Sequence, residues 1–312
     1  MIRRRTVFVL GAGASIPYGF PSGEDLLQEA RRLSPKEIHE HLCIESTDPI
    51  QPLYDALVRT HDASLDSILD LRTDLRDAGK RLIASLLLQR EFNSTKHYPN
   101  RSDDWITLLF GELTAGTRSL DEFVENQVVF VTFNYDRLLE HRILGALMCH
   151  YDPNERACVD AMQKIKIIHL HGQLARLPGF DDPNHVIPFG PSPGLRQEFC
   201  ENINRAIHRI LVVHEAQPQT IEFRLARSEL NAAEKIVFLG FGYGETNLRR
   251  LEIESWSKSA SIFGTAYGLT EKQIYYDVQQ RFRLANNRTI LLGQVDHGTR
   301  EFFENNLEIF RA

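Results

Sequence analysis

The sequence predicts an α/β fold: a Rossmann-like, doubly wound parallel sheet with a helical insertion or subdomain. Three observations predict it. Short apolar, β-branched runs alternate with stretches of helical periodicity, each run ends in a cluster of Gly, Asn, Asp or His, and residues 24 to about 125 read as helix between the first run and the second. In open α/β sheets ligands bind outside the carboxyl ends of the strands, so the clusters mark where a site should lie.

The first run, Val7 to Leu10, has the length of a strand buried on both faces. It leads into Gly11-Ala12-Gly13-Ala14-Ser15, residues small enough for a sharp turn that brings N–H groups close to a ligand. Strand, small-residue turn and helix together can seat a pyrophosphate; a tight turn with no ligand fits the same residues. Position 16, where G-x-G-x-x-G needs its third glycine, is Ile16, and no acidic residue ends an obvious second strand, which disfavours an ordinary nicotinamide dehydrogenase. Gly19 to Gly23 reads as a loop over the ligand, and Ser22 with Asp25 as the cap of the next helix.

Leu65, Ile68, Leu69 and then Leu82, Ile83, Leu86 and Leu87 recur at helical spacing, with Ser64 as a cap. Phe92 to Asp104 reads as a connection and Trp105 to Leu113 as a helix. Strand character returns at Gln127 to Phe133, followed by Asn134-Tyr135-Asp136 and a helix from Arg137 through Leu147. Ile165 to Leu170 is the third strand, ending in His171-Gly172. Residues 178 to 195 are loop and 197 to 231 helical. Lys235 to Phe241 is the fourth strand, ending in Gly242-Tyr243-Gly244; Ser261 to Leu269 and Arg288 to Leu292 are the fifth and sixth. Helices are expected at Glu271 to Leu284 and Thr299 to Ile309, and the whole chain, 1–312, reads as one domain.

A net charge of −6 argues against a chain built to coat nucleic acid, and no apolar run reaches the ~18 residues of a membrane span. Cys43, Cys149, Cys158 and Cys200 are scattered, include no C-x-x-C pair and suggest no disulfide framework, so a reducing cytoplasm is the expected compartment. No metal cluster, nucleophile elbow or Walker lysine is present, so no metal is expected. Asn134 and Asp136 could cap a helix or serve a site. His171 has the side chain for general base work near neutral pH, but a strand-end histidine can equally be structural. Gly240-x-Gly242-x-Gly244 is a second close-approach loop or only a turn.

Read together, Gly11 to Ser15, Thr132-Phe133-Asn134-Tyr135-Asp136, Leu170-His171-Gly172 and Gly240 to Gly244 follow the order of motifs in the sirtuin-like family. The chain resembles the defence-associated bacterial branch of that family rather than its protein deacylases. The resemblance implies NAD as substrate, with Gly11, Ala12, Gly13, Ala14 and Ser15 on the pyrophosphate. Thr132 would stand beside the cofactor, and Gly240, Gly242 and Asn247 near the adenosine end. Asn134 would contact the nicotinamide-side ribose and position water, Asp136 would hold nicotinamide, and His171 would be the base. The glutamine and the Asp-Phe-Arg of the deacylase motifs are replaced by Phe133 and by Ser22-Gly23-Glu24, and the deacylases' four-cysteine zinc module is missing. These departures favour NAD+ hydrolysis to ADP-ribose and nicotinamide, used to deplete cellular NAD in anti-phage defence and abortive infection. The resemblance further implies a homo-oligomer and a regulatory partner, a HerA-type ATPase favoured over an Argonaute-like protein. A non-catalytic NAD or ADP-ribose sensor and an NAD-dependent deacylase or ADP-ribosyltransferase are the alternatives.

Overall fold

Six apolar runs pair into one parallel sheet in the order β3-β2-β1-β4-β5-β6. The strands are β1 (Thr6–Leu10), β2 (Val128–Thr132), β3 (Lys166–His169), β4 (Lys235–Leu239), β5 (Ser261–Gly264) and β6 (Ile290–Leu292). β1, β2 and β4 are buried at every position, because helices cover both faces of the sheet. The strand order reverses between β1 and β4, which makes the gap between their carboxyl ends the topological switch point of the doubly wound fold. This computed structural model describes residues 1–61, 64–96, 103–151, 154–212, 215, 217–256, 259–286 and 288–311.

Side-chain alternation divides the core. Phe8, Leu10, Val128, Phe130, Val237 and Leu239 point to one layer, and Val7, Val9, Val129, Val131, Ile236 and Phe238 to the other. The first layer holds the helices between β1 and β2: α1 (Gly23–Arg31), α2 (Pro35–Leu42), α3 (Ile50–Arg59), α4 (Leu65–Leu71), α5 (Arg76–Ser94), α6 (Trp105–Thr114) and α7 (Leu120–Phe123). It also holds α8 (Leu138–His150), α9 (Glu155–Met162), α10 (Arg196–Ala206) and, at the end of the chain, α15 (Thr299–Asn305) and α16 (Glu308–Arg311). The second layer is built from α11 (Ile221–Ala232), α12 (Glu245–Arg250) and the run formed by α13 (Glu271–Gln273), a π turn (Ile274–Gln279) and α14 (Gln280–Asn286).

Some helix starts are set by caps legible in the chain. Ser22 and Asp25 form a capping box on α1, and Ser64 accepts from the Ser67 N–H on α4. Several boundaries differ from expectation. Residues 197–231 are two helices, because the chain at Arg209 to Leu211 leaves helical geometry to pair with His171 to Gln173. The fifth strand stops at Gly264, where Thr265 turns away to hold the loop after β4. Within the stretch read as a connection, α5 continues to Ser94, and 97–102 lie outside the described residues. The segment expected as a loop, Gly19 to Gly23, forms no strand or helix before α1 begins at Gly23; it follows a 3₁₀ turn at Ile16–Tyr18, and Tyr18 and Phe20 are buried.

The cysteine expectation is overturned. Cys43, at the end of α2, and Cys200, within α10, form a disulfide with their Cα atoms 5.4 Å apart. Their separation of 157 residues hid the pair, since only folding of the insertion onto α10 brings them together. The link also weighs against the reducing compartment that the scattered cysteines suggested.

Candidate nucleotide site at the switch point

The loops after β1 and β4 pack backbone to backbone. A β-carbon on Gly11 would meet the Gly240 carbonyl oxygen at 2.5 Å, and one on Gly13 would lie 2.8 Å from the Gly240 Cα. Gly240 itself has φ +56°. These three glycines are therefore required by the contact between the loops. Gly242 differs: a β-carbon there would have nothing within 4 Å, so its side faces open space. Tyr243 adopts φ 52°, unusual for a side chain of its size, and is held there by burial and by its hydroxyl donating to the Thr265 carbonyl.

Within the first loop most N–H groups are already engaged. Gly11 donates to Leu239 O, Gly13 to Gly240 O, Ala14 to Gly11 O and Ser15 to Ala12 O. The loop is pinned from the insertion as well, since the Trp105 indole donates to the Ala14 carbonyl at 2.7 Å. Tyr18 adds a second tie through its hydroxyl, which donates to Asp104 at 2.8 Å.

The cluster after β2 converges on this loop. Asn134 Nδ2 donates to Gly11 O at 3.1 Å and to Ser15 Oγ at 3.2 Å, while the Ser15 hydroxyl donates to Asp136 Oδ2 at 2.9 Å. Asn134 therefore caps no helix. Asp136 does both jobs, since its Oδ1 also accepts from the Leu138 N–H at the start of α8. Burial pushes the Asp136 carboxyl up to about 6 against those hydrogen bonds. Thr132 is buried, with its hydroxyl oxygen accepting from the Asn134 N–H at 3.0 Å. Asn247 lies half-buried in the first turn of α12.

The two strand-end histidines separate. His171 packs among Phe133, Tyr135 and Phe223, with ring centroids 5.6, 6.2 and 6.4 Å away. Its backbone is fixed by Leu211 N–H donating to its carbonyl at 2.8 Å. Burial, helped by the charge of Arg250, lowers its pKa to about 4, so it is neutral at pH 7, and its Nε2 has no hydrogen-bond partner among the described residues. His169 instead reaches the face of α8, with Nε2 2.7 Å from Glu140 Oε1 and Nδ1 2.9 Å from the Asn134 carbonyl. Burial alone would lower the pKa of His169, but Glu140, the Asn134 carbonyl and Asp136 together raise it. A small cavity of about 10 Å³ is lined by Ser15, Trp105, Asn134, Asp136, Glu140 and His169 among others. It borders Asn134 and His169 but not His171, and at that size it holds hardly a water.

Sequence reasoning missed Glu140, Trp105 and Tyr243. Glu140 stands one helical turn after Asp136 and was visible as spacing; the partners of Trp105 and Tyr243 are distant in the chain and gave no local signal.

With this geometry in view, the chain can be set beside known proteins. It is similar in path to Sir2 homologues. One is a triple mutant of a Sir2 homologue in complex with 2′-O-acetyl ADP-ribose, with a TM-score of 0.46 and 14% identity over 98% of this chain and 93% of that one. Another is a Sir2 homologue–NAD complex, with a TM-score of 0.45 and 14% identity over 98% of this chain and 90% of that one. No family model matches the chain, and no curated protein matches it. The sheet assignment accordingly rests on strand order and register. Among the described residues no helix is long and apolar enough to cross a membrane, and no cluster of three His, Cys, Asp or Glu side chains could hold a metal.

Proposed function

We propose that the chain binds NAD+ at the switch point and hydrolyses it to ADP-ribose and nicotinamide. The observation that carries this reading is the convergence of Asn134 and Asp136 on Gly11 and Ser15 in the loop after β1, with the neutral imidazole of His171 two residues past the end of β3. The NAD and acetyl-ADP-ribose named for the two similar structures agree with it.

In the proposed reaction the C1′–N bond of the nicotinamide ribose breaks, and its electron pair leaves with nicotinamide, neutralising the pyridinium. Water adds its oxygen to C1′ and loses a proton. Asn134 would orient the ribose and the water, and His171, uncharged at pH 7, would accept the proton as it is lost. Asp136 would hold the departing amide. Orientation of this kind supplies several kcal/mol, and a positioned base adds ~10²–10⁴-fold.

The biological role belongs to the same proposal: an anti-phage effector that depletes NAD. It would act as a homo-oligomer under a regulatory partner, a HerA-type ATPase before an Argonaute-like protein. One observation favours a second reading, a non-catalytic sensor of NAD or ADP-ribose: burial and the charge of Arg250 lower the His171 pKa to about 4, which makes its imidazole a weak base at neutral pH. Incubating the purified protein with NAD+, alone and with an acetylated peptide, separates the readings. Peptide-independent nicotinamide release that disappears in folded Asn134→Ala and His171→Ala variants is the expected result. Stoichiometric binding without release would replace the hydrolase by the sensor.

A further inference from the structure

Residues 133–137 belong to no strand or helix, so the backbone of Asn134 has no ladder to hold it. Side chains hold it instead. Its N–H donates to Thr132 Oγ1 at 3.0 Å, and its carbonyl accepts from His169 Nδ1 at 2.9 Å. The other ring nitrogen of His169 is held by Glu140 at 2.7 Å, and Glu140 is fixed in the first turn of α8, a helix whose start is capped by Asp136. Both ring nitrogens thus face acceptors, which requires an N–H on each when Glu140 is ionised. The imidazole is buried, with the ring orientation set at both ends. With the peptide held on both sides, the Asn134 side chain points to Gly11 O and Ser15 Oγ, which receive its Nδ2; among the described residues its Oδ1 takes no hydrogen bond.

We propose that His169, oriented by Glu140, is a positioning residue that clamps the Asn134 carbonyl and so aims the Asn134 amide at the reacting ribose. The carboxylate–imidazole–carbonyl chain plays the part that a second shell plays at a metal site: it fixes a working side chain through its backbone. The kinetic consequence rests on the proposed hydrolysis; the geometric consequence does not.

Two amide substitutions separate the roles of the two ring nitrogens. In His169→Asn the side-chain NH₂ stands near the place of Nδ1 and can still donate to the Asn134 carbonyl. In His169→Gln it stands near the place of Nε2, toward Glu140. The side-chain NH₂ signal of Asn134, recorded on ¹⁵N-asparagine-labelled protein and assigned by its loss in Asn134→Ala, should stay in place in His169→Asn and move in His169→Gln. For nicotinamide release, His169→Gln should lower kcat on the order of 10²-fold with KM little changed, as displacement of a positioned group does, while His169→Asn recovers most of that loss. Equal kcat losses in the two variants, or an unmoved Asn134 signal in His169→Gln, would overturn the clamp. If His169→Gln does not fold, Glu140→Ala removes the orienting partner, and an unmoved Asn134 signal there is equally fatal. A wild-type protein that releases no nicotinamide would refute the proposed hydrolysis, and the labelled spectra would still decide the clamp.

Discussion

Replacing Gly240 by alanine tests whether the glycines of the two loops serve backbone contact. The new β-carbon would sit 1.9 Å from the Ala14 nitrogen and 2.2 Å from the Gly13 carbonyl carbon, both backbone atoms that no rotamer change can move aside. The residue would also keep φ +56°, which costs a side chain about 1–2 kcal/mol. Forcing packed backbone apart adds about 1–3 kcal/mol, for a total of roughly 2–5 kcal/mol. Unfolding entropy of about 2.1 cal/mol/K per residue, over 312 residues, converts this to a fall in Tm of about 3–8 °C. Gly242→Ala is the control, because its β-carbon enters open space: stability should change by less than about 0.5 kcal/mol. If a ligand passes over Gly242, NAD+ affinity measured by calorimetry falls there without loss of stability. Scanning fluorimetry on both variants decides the matter. A Gly240→Ala protein that melts with the wild type, or a Gly242→Ala protein destabilised as much, would refute the reasoning.

Three further outcomes concern the Arg137–Glu91 pair, Asp136 and the disulfide. Arg137 and Glu91 form a fully buried pair, with Nε 3.0 Å and Nη2 2.5 Å from the two carboxylate oxygens; Arg137→Met strands the carboxylate and should cost about 3–5 kcal/mol by urea unfolding. The Asp136 carboxyl, raised to about 6, keeps its proton longer in the folded than in the unfolded chain. Its stabilisation is complete below about pH 4 and is lost as pH rises through 6, by at most about 3 kcal/mol and less for the solvent reaching this half-buried residue. Asp136→Asn should therefore gain on the wild type between pH 4 and 7 in urea midpoints. The difference between the two proteins removes the opposite slope of His171, whose pKa near 4 gives stability that is full above about 6.5 and lost as pH falls through 4. Finally, the Cys43–Cys200 link closes a loop of 157 residues, and its reduction should lower stability by up to about 5 kcal/mol, with Cys43→Ser insensitive to dithiothreitol.

The sheet was legible because its strands are apolar throughout and end in small or polar residues, a pattern that survives without knowing any partner. Ser15, Asn134 and Asp136 were legible as a group because strand ends collect on one edge of a parallel sheet. What stayed hidden was long-range. Nothing near Gly13 in the chain says that its neighbour is Gly240, and nothing near Cys43 points to Cys200. His169 and His171 were separated only by the folded chain. The pleat turns His169 to α8, while the pairing of His171 with Leu211 carries it to the aromatic cluster.

Arg137 has a consequence for the helices between β1 and β2. The one guanidinium joins α5, through Glu91, to the turn after β2 and to the carbonyls of Ile187 and Pro188 on the far loop. Trp105, from the same insertion, grips the loop after β1. Those helices are thus no detachable ornament on a minimal nucleotide fold. Trimming them to make a smaller protein would unseat the turns of the candidate site, and transplanting the strand-end motifs onto a bare sheet would leave them without a scaffold.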